Sequence, residues 1–270
     1  MDPYHGDVAS QGEFVEQRAH GAIGWVHPDF VALGLDAFWA ALEPLPGAKG
    51  RGGVGLLRLG ERQLVVRPYR RGGAFGSLLH DRYARPGRAR SELELLAALR
   101  REGVPVVTPI AAVARRGRAF WRLRLCTELM PDALPLPAFL AAHPALRRYA
   151  ADAVGTVVRL AFDAGLRHPD LHLDNVLCSP RGDKVRAVLV DLDRARLRKP
   201  LAEDDRDDMF VRMQRYLVRH RAHVPALPTR AETMRFLKAL GLDKDARHAA
   251  WRRLAAKLER SLRRRGWLRR

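Results

Sequence analysis

Residues 168–175 read His-Pro-Asp-Leu-His-Leu-Asp-Asn, and after a short loop residues 188–193 read Val-Leu-Val-Asp-Leu-Asp. A histidine stands two residues before a carboxylate, and an amide follows that carboxylate by five residues. The run 185–190 is mostly apolar and rich in β-branched residues, which predicts a buried strand. Asp191 would then be presented at the end of a rigid strand, close to the polar side chains of the preceding loop.

These polar residues suit phosphoryl transfer. That reaction needs one carboxylate to orient the attacking hydroxyl, and an amide with a second carboxylate to hold the Mg²⁺ that neutralises the nucleotide phosphates. Asp170, Asn175 and Asp191 match the three roles in the order H-x-D-x-x-x-x-N, strand, Asp, which is typical of kinases. Each residue type alone also caps helices and forms turns, but the joint spacing favours the catalytic interpretation.

Length and composition indicate a folded protein. The chain has 270 residues, of which 47% are hydrophobic, so it can bury a substantial core and is not a disordered chain. Cys126 and Cys178 lie far apart without C-x-x-C spacing, which predicts reduced core thiols and a cytosolic compartment. The start of the chain lacks the features of a signal peptide, and no apolar run approaches a membrane span, so we expect neither export nor integral membrane insertion.

The charge balance is strongly basic. Lys and Arg number 49 against 30 Asp and Glu, a formal net charge of +19. Such a surface attracts polyanions, and nucleic acid, anionic lipid headgroups and phosphorylated glycolipids all fit. Because most of the excess is arginine in an alanine- and arginine-rich chain, part of it is also explained as compositional background without function.

A glycine-rich segment lies in the N-terminal part of the chain. Gly50, Gly52 and Gly55 form a literal G-x-G-x-x-G, a weak motif by itself because glycines also simply permit turns. The segment leads into residues 56–59 and 63–69, which are predicted to form a strand hairpin, whereas a dinucleotide-binding fingerprint opens a helix. The context favours a glycine-rich hairpin that covers nucleotide phosphates, as in kinases.

A cation and a carboxylate are predicted to pair beyond this hairpin. Arg67 ends the second strand, where kinases have a lysine, and Glu92 lies near the start of an amphipathic helix over 91–101. An ordinary edge-strand arginine and a helix N-terminal carboxylate are the simpler alternatives. Further on, Glu128 and Met130 flank a strand end that precedes a proline. We expect this linker to connect two lobes, with or without backbone contacts to adenine.

Helices dominate the C-terminal half. Residues 146–164, 209–220 and 230–270 are predicted to be helical. In the last of these segments leucines recur every four residues among arginines, at positions 254, 258 and 262. Such a basic amphipathic helix either lies on an anionic membrane, with Trp267 at the interface, or packs on its lobe with a charged outer face.

With these residues in place, the chain resembles the bacterial lipopolysaccharide kinase family over roughly residues 50–220. The resemblance rests on five segments: GRGG from residue 50, LVVRPYRRGGAFGSLLHDRY from 64, SELELLAALRREGVPVVTPIAA from 91, HPDLHLDNVL from 168 and VLVDLDRARL from 188. It implies an α+β, protein-kinase-like fold with two lobes. The N-terminal nucleotide-binding lobe, an antiparallel sheet plus one helix, would span residues 21–130. The mainly helical catalytic lobe, with its basic tail, would span 131–270, and residues 1–20 would be a disordered leader.

The same resemblance implies a function and site residues. An enzyme using ATP and Mg²⁺ would phosphorylate the 4-hydroxyl of 3-deoxy-D-manno-octulosonic acid (Kdo) on Kdo-lipid A, at the cytoplasmic face of an inner membrane with an anionic surface. No specific nucleic acid partner is expected. His172 stands where protein kinases place a lysine, which favours a sugar acceptor. The implied residues are, for catalysis, Asp170, His172 and His168; for nucleotide, Gly50, Gly52, Gly55, Arg67, Glu92, Glu128 and Met130; and for metal, Asn175 and Asp191.

Other functions share this pattern. A heptose kinase of the lipopolysaccharide core would use the same catalytic set, so only acceptor testing separates the two. A protein kinase or another small-molecule kinase is the next alternative, although His172 and the lack of a clear A-P-E segment argue against the former. From a different class, a non-catalytic pseudokinase would use its charge to bind polyanions such as nucleic acid.

Overall fold

The computed structural model describes residues 13–45, 53–70, 81–224 and 226–267. Contacts between residues divide the chain into two compact units. The first unit comprises Met1–Ala97 and Thr108–Leu129, and the second comprises Ala98–Val107 and Met130–Arg270. Residues 98–107 thus group with the second unit, although they fall inside the range predicted for the nucleotide-binding lobe.

An antiparallel sheet of seven strands forms the first unit, in the order β1-β2-β6-β7-β5-β4-β3. The strands are β1 Val15–Ala19, β2 Ala22–Val26, β3 Glu43–Pro44, β4 Gly55–Leu59, β5 Arg62–Pro68, β6 Pro109–Arg116 and β7 Trp121–Glu128. A 3₁₀ helix, Pro28–Leu33, and the short helix α1, Gly34–Ala37, follow β2. Apolar side chains from the sheet and from this helical segment form one buried cluster, which includes Val26, Phe38, Leu64 and Val66.

The hairpin predicted after the glycine-rich segment is confirmed. Strands β4 and β5 pair antiparallel, with Leu57 opposite Leu64 and Gly55 opposite Val66. The amphipathic helix predicted over 91–101 is also present as α2, Gly87–Arg101, and begins four residues earlier. Leu93, Leu96 and Leu99 are buried on one face of α2, as their spacing predicts.

The prediction of a disordered leader over residues 1–20 was wrong for the part that the structure describes. Strand β1 pairs with β2 at the edge of the sheet. Trp25 donates a hydrogen bond from Nε1 to Glu16 Oε2 at 3.1 Å, and Gln17 donates from Nε2 to the Val31 carbonyl at 2.9 Å. An edge strand is stabilised by its backbone hydrogen bonds and tolerates polar residues. Its sequence therefore lacks the apolar alternation that predicts a strand, and it resembles that of a disordered segment. Residues 1–12 lie outside the described residues.

The second unit is mainly helical. Its helices are α3 Leu136–Ala142, α4 Arg147–Asp163, α5 Glu203–His220, α6 Arg230–Ala239 and α7 Lys244–Arg264. Its strands are β8 Leu134–Pro135, β9 Leu166–Arg167, β10 Val176–Arg181, β11 Lys184–Leu189 and β12 Arg196–Leu197. Val154, Val157, Val158 and Ala161 are buried on the apolar face of α4, which makes this helix a central part of the core. Strands β10 and β11 form the hairpin that follows the His-x-Asp loop.

The C-terminal segment predicted as one helical stretch over 230–270 is two helices. Between α6 and α7, Gly241 adopts a φ of +88°, a backbone conformation that glycine reaches without steric cost. Asp243 then caps α7 by accepting a hydrogen bond from the Ala246 amide at 2.8 Å. These two residues are the only local signals of the turn in a segment rich in arginine and leucine.

The two cysteines and the length and polarity of the helices were also predicted from composition. Cys126 and Cys178 are buried and not disulfide-bonded, and burial raises the pKa of each thiol to about 12. Across the described ranges, every helix is too short or too polar to cross a lipid bilayer.

Candidate active site

The His-x-Asp loop is fastened to the strand hairpin that follows it. Asn175 donates from Nδ2 to the Asp170 carbonyl at 3.0 Å, and the Asn175 carbonyl accepts a hydrogen bond from the Val190 amide at 3.0 Å. Asn175 is buried, whereas the Asp170 side chain is half exposed. The loop backbone is therefore fixed while the Asp170 carboxylate faces accessible space.

Asp191 follows β11 in an unusual backbone conformation. Its φ is +58°, in the left-handed region. Asp and Asn enter this region more readily than other residues with a side chain, although a cost of about 1 kcal/mol or more remains. The chain turns here directly after the residue that bonds to Asn175, so the amide and this carboxylate are placed by one short piece of backbone.

A buried imidazole interacts electrostatically with Asp170, the predicted base, and with Asp191, a predicted metal ligand. His168 is 1% exposed, and among the described residues neither ring nitrogen has a hydrogen-bond partner. Burial lowers the pKa of His168 to about 4, and the negative charges of Asp191 and Asp170 oppose that change. Both carboxylates therefore lie within electrostatic range of one ring. His168 is enclosed and packs within the loop, and its catalytic role stays a prediction.

Helix α5 holds the loop with two side chains that sequence analysis missed. Arg212 donates from Nε to Asp170 Oδ1 at 2.9 Å and also from Nη2 to the same oxygen. One turn further, the Tyr216 hydroxyl donates to Asp174 Oδ2. Burial, followed by this contact with Asp174, raises the pKa of Tyr216. The loop carboxylates are themselves four residues apart, so their spacing matches one turn of helix.

The ring of Tyr216 also packs against the second histidine of the loop. The ring of His172 stacks on that of Tyr216 with centroids 4.8 Å apart and an angle of 13° between the planes. Burial lowers the pKa of His172, and the negative charge of Asp170 opposes the change. Burial therefore favours the neutral form of the His172 ring.

In the first unit, the predicted pair of Arg67 and Glu92 is formed. Arg67 Nη2 lies 2.6 Å from Glu92 Oε1 and 2.5 Å from Oε2. The Glu92 side chain is 1% exposed and that of Arg67 is 24% exposed. The Tyr69 hydroxyl also donates to Glu92, and the Arg67 guanidinium lies over the Tyr69 ring at 4.6 Å. This enclosed network fixes the end of β5 to α2, as a kinase strand cation and helix carboxylate do.

The other predicted nucleotide residues are less informative. Gly50 and Gly52 lie outside the described residues. At Gly55 a Cβ atom would lie 2.6 Å from Leu42 Cβ and 2.8 Å from the Glu43 carbonyl, so packing against β3 already requires glycine there. The Glu128 amide donates to the Thr108 carbonyl at 2.9 Å, and Met130 begins the longer segment of the second unit. Nucleotide contacts of these residues stay predictions.

The donor set around the loop fits a hard cation with few protein ligands. Asn175 uses its amide nitrogen toward Asp170, which directs the acceptor role to its Oδ1 atom. Asp191 supplies carboxylate oxygens, and Mg²⁺ commonly takes one or two such protein groups with phosphate oxygens and waters. Within the described ranges, no three His, Cys, Asp or Glu side chains converge as a denser metal cage. Asn175 and Asp191 are therefore compatible with a Mg²⁺ ion that also binds nucleotide phosphates.

Comparisons with known proteins identify the family. The family described as Lipopolysaccharide kinase (Kdo/WaaP) matches residues 36–240. A 3-deoxy-D-manno-octulosonic acid kinase of Vibrio parahaemolyticus is 33% identical over 164 residues, which cover 59% of this chain and 67% of the relative. A protein of the same name from Xylella fastidiosa is 31% identical over 193 residues, covering 70% of this chain and 75% of the relative.

A solved structure titled "WaaP in complex with acyl carrier protein" shares the fold. The match has a TM-score of 0.62 at 19% identity and covers 89% of this chain and 98% of that one. The predicted α+β class and protein-kinase-like fold are confirmed.

Proposed function

The chain belongs to the lipopolysaccharide kinase (Kdo/WaaP) family and is thus a phosphotransferase that acts on a hydroxyl group; from this premise we propose that it phosphorylates the 4-hydroxyl of Kdo on Kdo-lipid A, with ATP as donor. Its relatives from several species carry the name 3-deoxy-D-manno-octulosonic acid kinase, which supports this acceptor. The observation that carries the proposal is the geometry of the loop. A half-exposed Asp170 is fixed by α5 beside an amide and a carboxylate suited to Mg²⁺.

In this proposal Asp170 orients the acceptor hydroxyl. Both contacts from Arg212 go to Oδ1 of Asp170, so we assign Oδ2 to the hydroxyl and to its proton. The carboxylate places the acceptor oxygen in line with the γ-phosphate, and positioning of this kind supplies much of the rate enhancement in phosphoryl transfer. Tyr216 and His172 keep the rest of the loop in place, and His168 fills the space beneath it.

The nucleotide roles are assigned residue by residue from the kinase pattern. Asn175 and Asp191 would hold Mg²⁺, which neutralises phosphate charge when bound. Arg67, held by Glu92, would supply a cation where kinases use lysine, and the glycine-rich hairpin would contact the phosphates. Arginine offers a planar fork in place of a compact ammonium, so its phosphate contact differs in geometry from that of lysine.

We place the reaction at the cytoplasmic face of the inner membrane. The acceptor is a lipid-anchored polyanion, and a net charge of +19 favours approach to such a surface. Peripheral attachment needs no membrane-spanning helix.

The experiment that tests the function is an acceptor comparison. Radiolabelled ATP is supplied with Kdo-lipid A, with heptosylated lipid A and with a generic protein, and label transfer is followed over time. We expect label on Kdo-lipid A. Transfer that requires the heptose would instead identify a heptose kinase, and transfer to protein or to none of the three would contradict the proposal.

Asp170→Asn tests the residue that carries the chemistry. We expect at least about a 100-fold loss of phosphate transfer, because the amide cannot accept the hydroxyl proton. The matched control is Asp163→Asn on α4, which removes a half-exposed carboxylate paired with Arg159 and is expected to leave turnover unchanged. Thermal unfolding should confirm that both variants fold. Normal turnover by folded Asp170→Asn would remove Asp170 from the mechanism.

A further inference from the structure

A cationic groove lies between helices α5 and α7 of the second unit. It has a volume of about 660 Å³, within the range of small-molecule sites. Seven cationic side chains line it, against only two carboxylates, those of Asp205 and Asp208. The cationic residues are Arg167, Arg212, Arg215, Lys257, Arg260, Arg264 and Arg265. We call this feature the α5–α7 groove.

The carboxylates neutralise only part of this charge. Arg167 lies 2.7 Å from Asp205, and Lys257 lies 3.0 Å from Asp208. Within the described part of the chain, four arginines that line the groove form no ion pair with a carboxylate: Arg215, Arg260, Arg264 and Arg265. Several guanidinium groups therefore face one concavity without counter-charges of their own.

Arg215 is the best-enclosed of these unpaired cations. Its Nη1 donates to Ser261 Oγ at 2.9 Å, which ties α5 to α7, while its buried Nε has no hydrogen-bond partner among the described residues. Burial lowers the pKa of Arg215, and the positive charges of Arg265 and Arg212 add to the effect. A bound anion in the groove would relieve the repulsion between these cations.

The groove adjoins the catalytic loop. Pro169, the residue before Asp170, forms part of its lining. Arg212 also lines the groove while it holds the Asp170 carboxylate. A ligand in the groove would therefore contact Arg212, the side chain that holds the carboxylate assigned to the acceptor hydroxyl.

We propose that the α5–α7 groove binds the phosphate groups of the acceptor glycolipid and so places its sugar hydroxyl at Asp170. This inference rests on the proposed function. Guanidinium groups bind phosphate oxygens through paired hydrogen bonds, and four of them without carboxylate partners match a ligand that carries more than one phosphate. A concave site of this volume fits a phosphosugar better than the flat headgroup layer of a bilayer does. The groove shares Arg212 with the Asp170 contact, which assigns it to the acceptor. The nucleotide is assigned to other residues, among them Arg67, Asn175 and Asp191.

The test compares two double variants that remove equal charge from α7. Arg260→Gln with Arg264→Gln removes two positive charges from the lining of the groove. The control, Arg252→Gln with Arg263→Gln, removes two exposed arginines of the same helix that do not line the groove. The acceptors are a deacylated Kdo-disaccharide with both lipid A phosphates and the same molecule without them, so that neither requires a membrane. Acceptor KM is measured with ATP, and acceptor binding is measured by calorimetry without ATP.

We expect the groove variant to raise the KM and the Kd of the bisphosphorylated acceptor by about tenfold or more, and the control by less than about twofold. The acceptor without phosphates should bind the wild type and the groove variant equally. Equal losses in both double variants, or a loss that does not depend on the acceptor phosphates, would overturn the inference. Lost binding to phosphatidylglycerol vesicles with unchanged disaccharide binding would overturn it too, because the groove would then face the bilayer.

The binding measurement separates the two levels of the proposal. If the wild type transfers no phosphate to any Kdo acceptor, the proposed function fails. If it transfers phosphate but the groove variant binds the bisphosphorylated disaccharide normally, only the groove assignment fails.

Discussion

Arg212 is the residue that links the catalytic carboxylate to the rest of the second unit. It is separated from Asp170 by 42 positions and reaches it from helix α5. The side chains of Arg212 and Asp170 are 31% and 50% exposed, so solvent screens the pair and its effect on stability is small. Arg212 orients the Asp170 carboxylate, because both of its donors bind Oδ1 and leave Oδ2 for the acceptor hydroxyl.

Replacing Arg212 should therefore affect turnover more than folding. We expect Arg212→Ala to lower kcat by about 10- to 100-fold, since a misplaced carboxylate aligns the hydroxyl poorly. Arg212→Lys should restore only part of kcat, because an ammonium lacks the planar fork. Steady-state kinetics should show the KM for ATP unchanged and the unfolding free energy altered by less than about 1 kcal/mol.

Arg219→Ala is the matched control for Arg212, because it removes an exposed arginine from the same helix. It should leave kcat unchanged. A normal kcat in Arg212→Ala, or a loss shared equally by Arg219→Ala, would show that Asp170 does not depend on this ion pair.

His168 makes the stability of the protein depend on pH. Its pKa is about 4 in the folded protein and has an ordinary value of 6.5. Between these values the unfolded chain binds more protons, so stability is fully present above pH 6.5 and is lost as the pH falls toward 4. The shift corresponds to about 3 kcal/mol in total.

The His168→Leu variant tests this pH dependence. Urea unfolding of the wild type should show stability falling from pH 6.5 to 4.5, and His168→Leu should flatten that slope whatever its stability at pH 7. His248→Leu, which removes an exposed histidine of α7, should keep the wild-type slope. A wild-type slope in His168→Leu would mean that other groups cause the acid sensitivity.

At the scale of single residues, sequence reasoning found what is encoded locally. Asp170, Asn175 and Asp191 lie within one loop and hairpin, so their spacing along the chain preserves their relation in space. Arg212 is one of 49 basic residues and lies on a helix that has other arginines. Its only sequence signal is the four-residue spacing to Tyr216, which repeats the spacing of Asp170 and Asp174. That match becomes meaningful only once α5 is known to face the loop.

At the scale of elements, helices α4 and α6 make close backbone contact at Gly155. A Cβ atom at Gly155 would lie 2.6 Å from Ala239 Cβ and 2.6 Å from the Phe236 carbonyl. Alanine normally stabilises a helix interior by about 1 kcal/mol relative to glycine. Here the steric cost of about 1–3 kcal/mol for an overpacked contact is expected to exceed that gain.

Gly155→Ala should therefore lower the unfolding free energy despite its better helix propensity. Gly87→Ala is the control, because that glycine begins α2 and no described atom lies within 4 Å of an added Cβ. It should be neutral or slightly stabilising. Chemical denaturation of both variants measures their unfolding free energies. A stabilised Gly155→Ala would mean that α4 and α6 can separate without cost.

Element boundaries followed from sequence where apolar periodicity was strong and failed where it was not. Helices α2 and α4 and the β4–β5 hairpin have regular buried faces, and their positions were predicted closely. Strand β1 is polar and lies at a sheet edge, so no apolar alternation marks it. The turn between α6 and α7 depends on Gly241 and on the Asp243 cap, two local signals within a segment dominated by arginine and leucine.

At the scale of the whole molecule, the net charge of +19 has two explanations that an experiment can separate. One is a functional attraction to a polyanionic acceptor, and the other is an arginine-rich composition without function. An attraction acts mainly on encounter and weakens as salt shortens the range of the field, to about 8 Å at physiological ionic strength. Arginines that do not act on the approaching acceptor predict a salt dependence that is the same for acceptors with and without phosphates.

If the charge serves encounter, kcat/KM for the bisphosphorylated acceptor should fall about tenfold between about 0.05 and about 0.3 M salt, while kcat at saturating acceptor changes little. The acceptor without phosphates should show a much weaker decrease, because it carries less of the charge that the field attracts. Initial rates across a salt series, with sucrose as a control for osmolality, measure both dependences. Equal slopes for the two acceptors would assign the excess arginine to composition, since a field that speeds encounter must distinguish ligands by their charge.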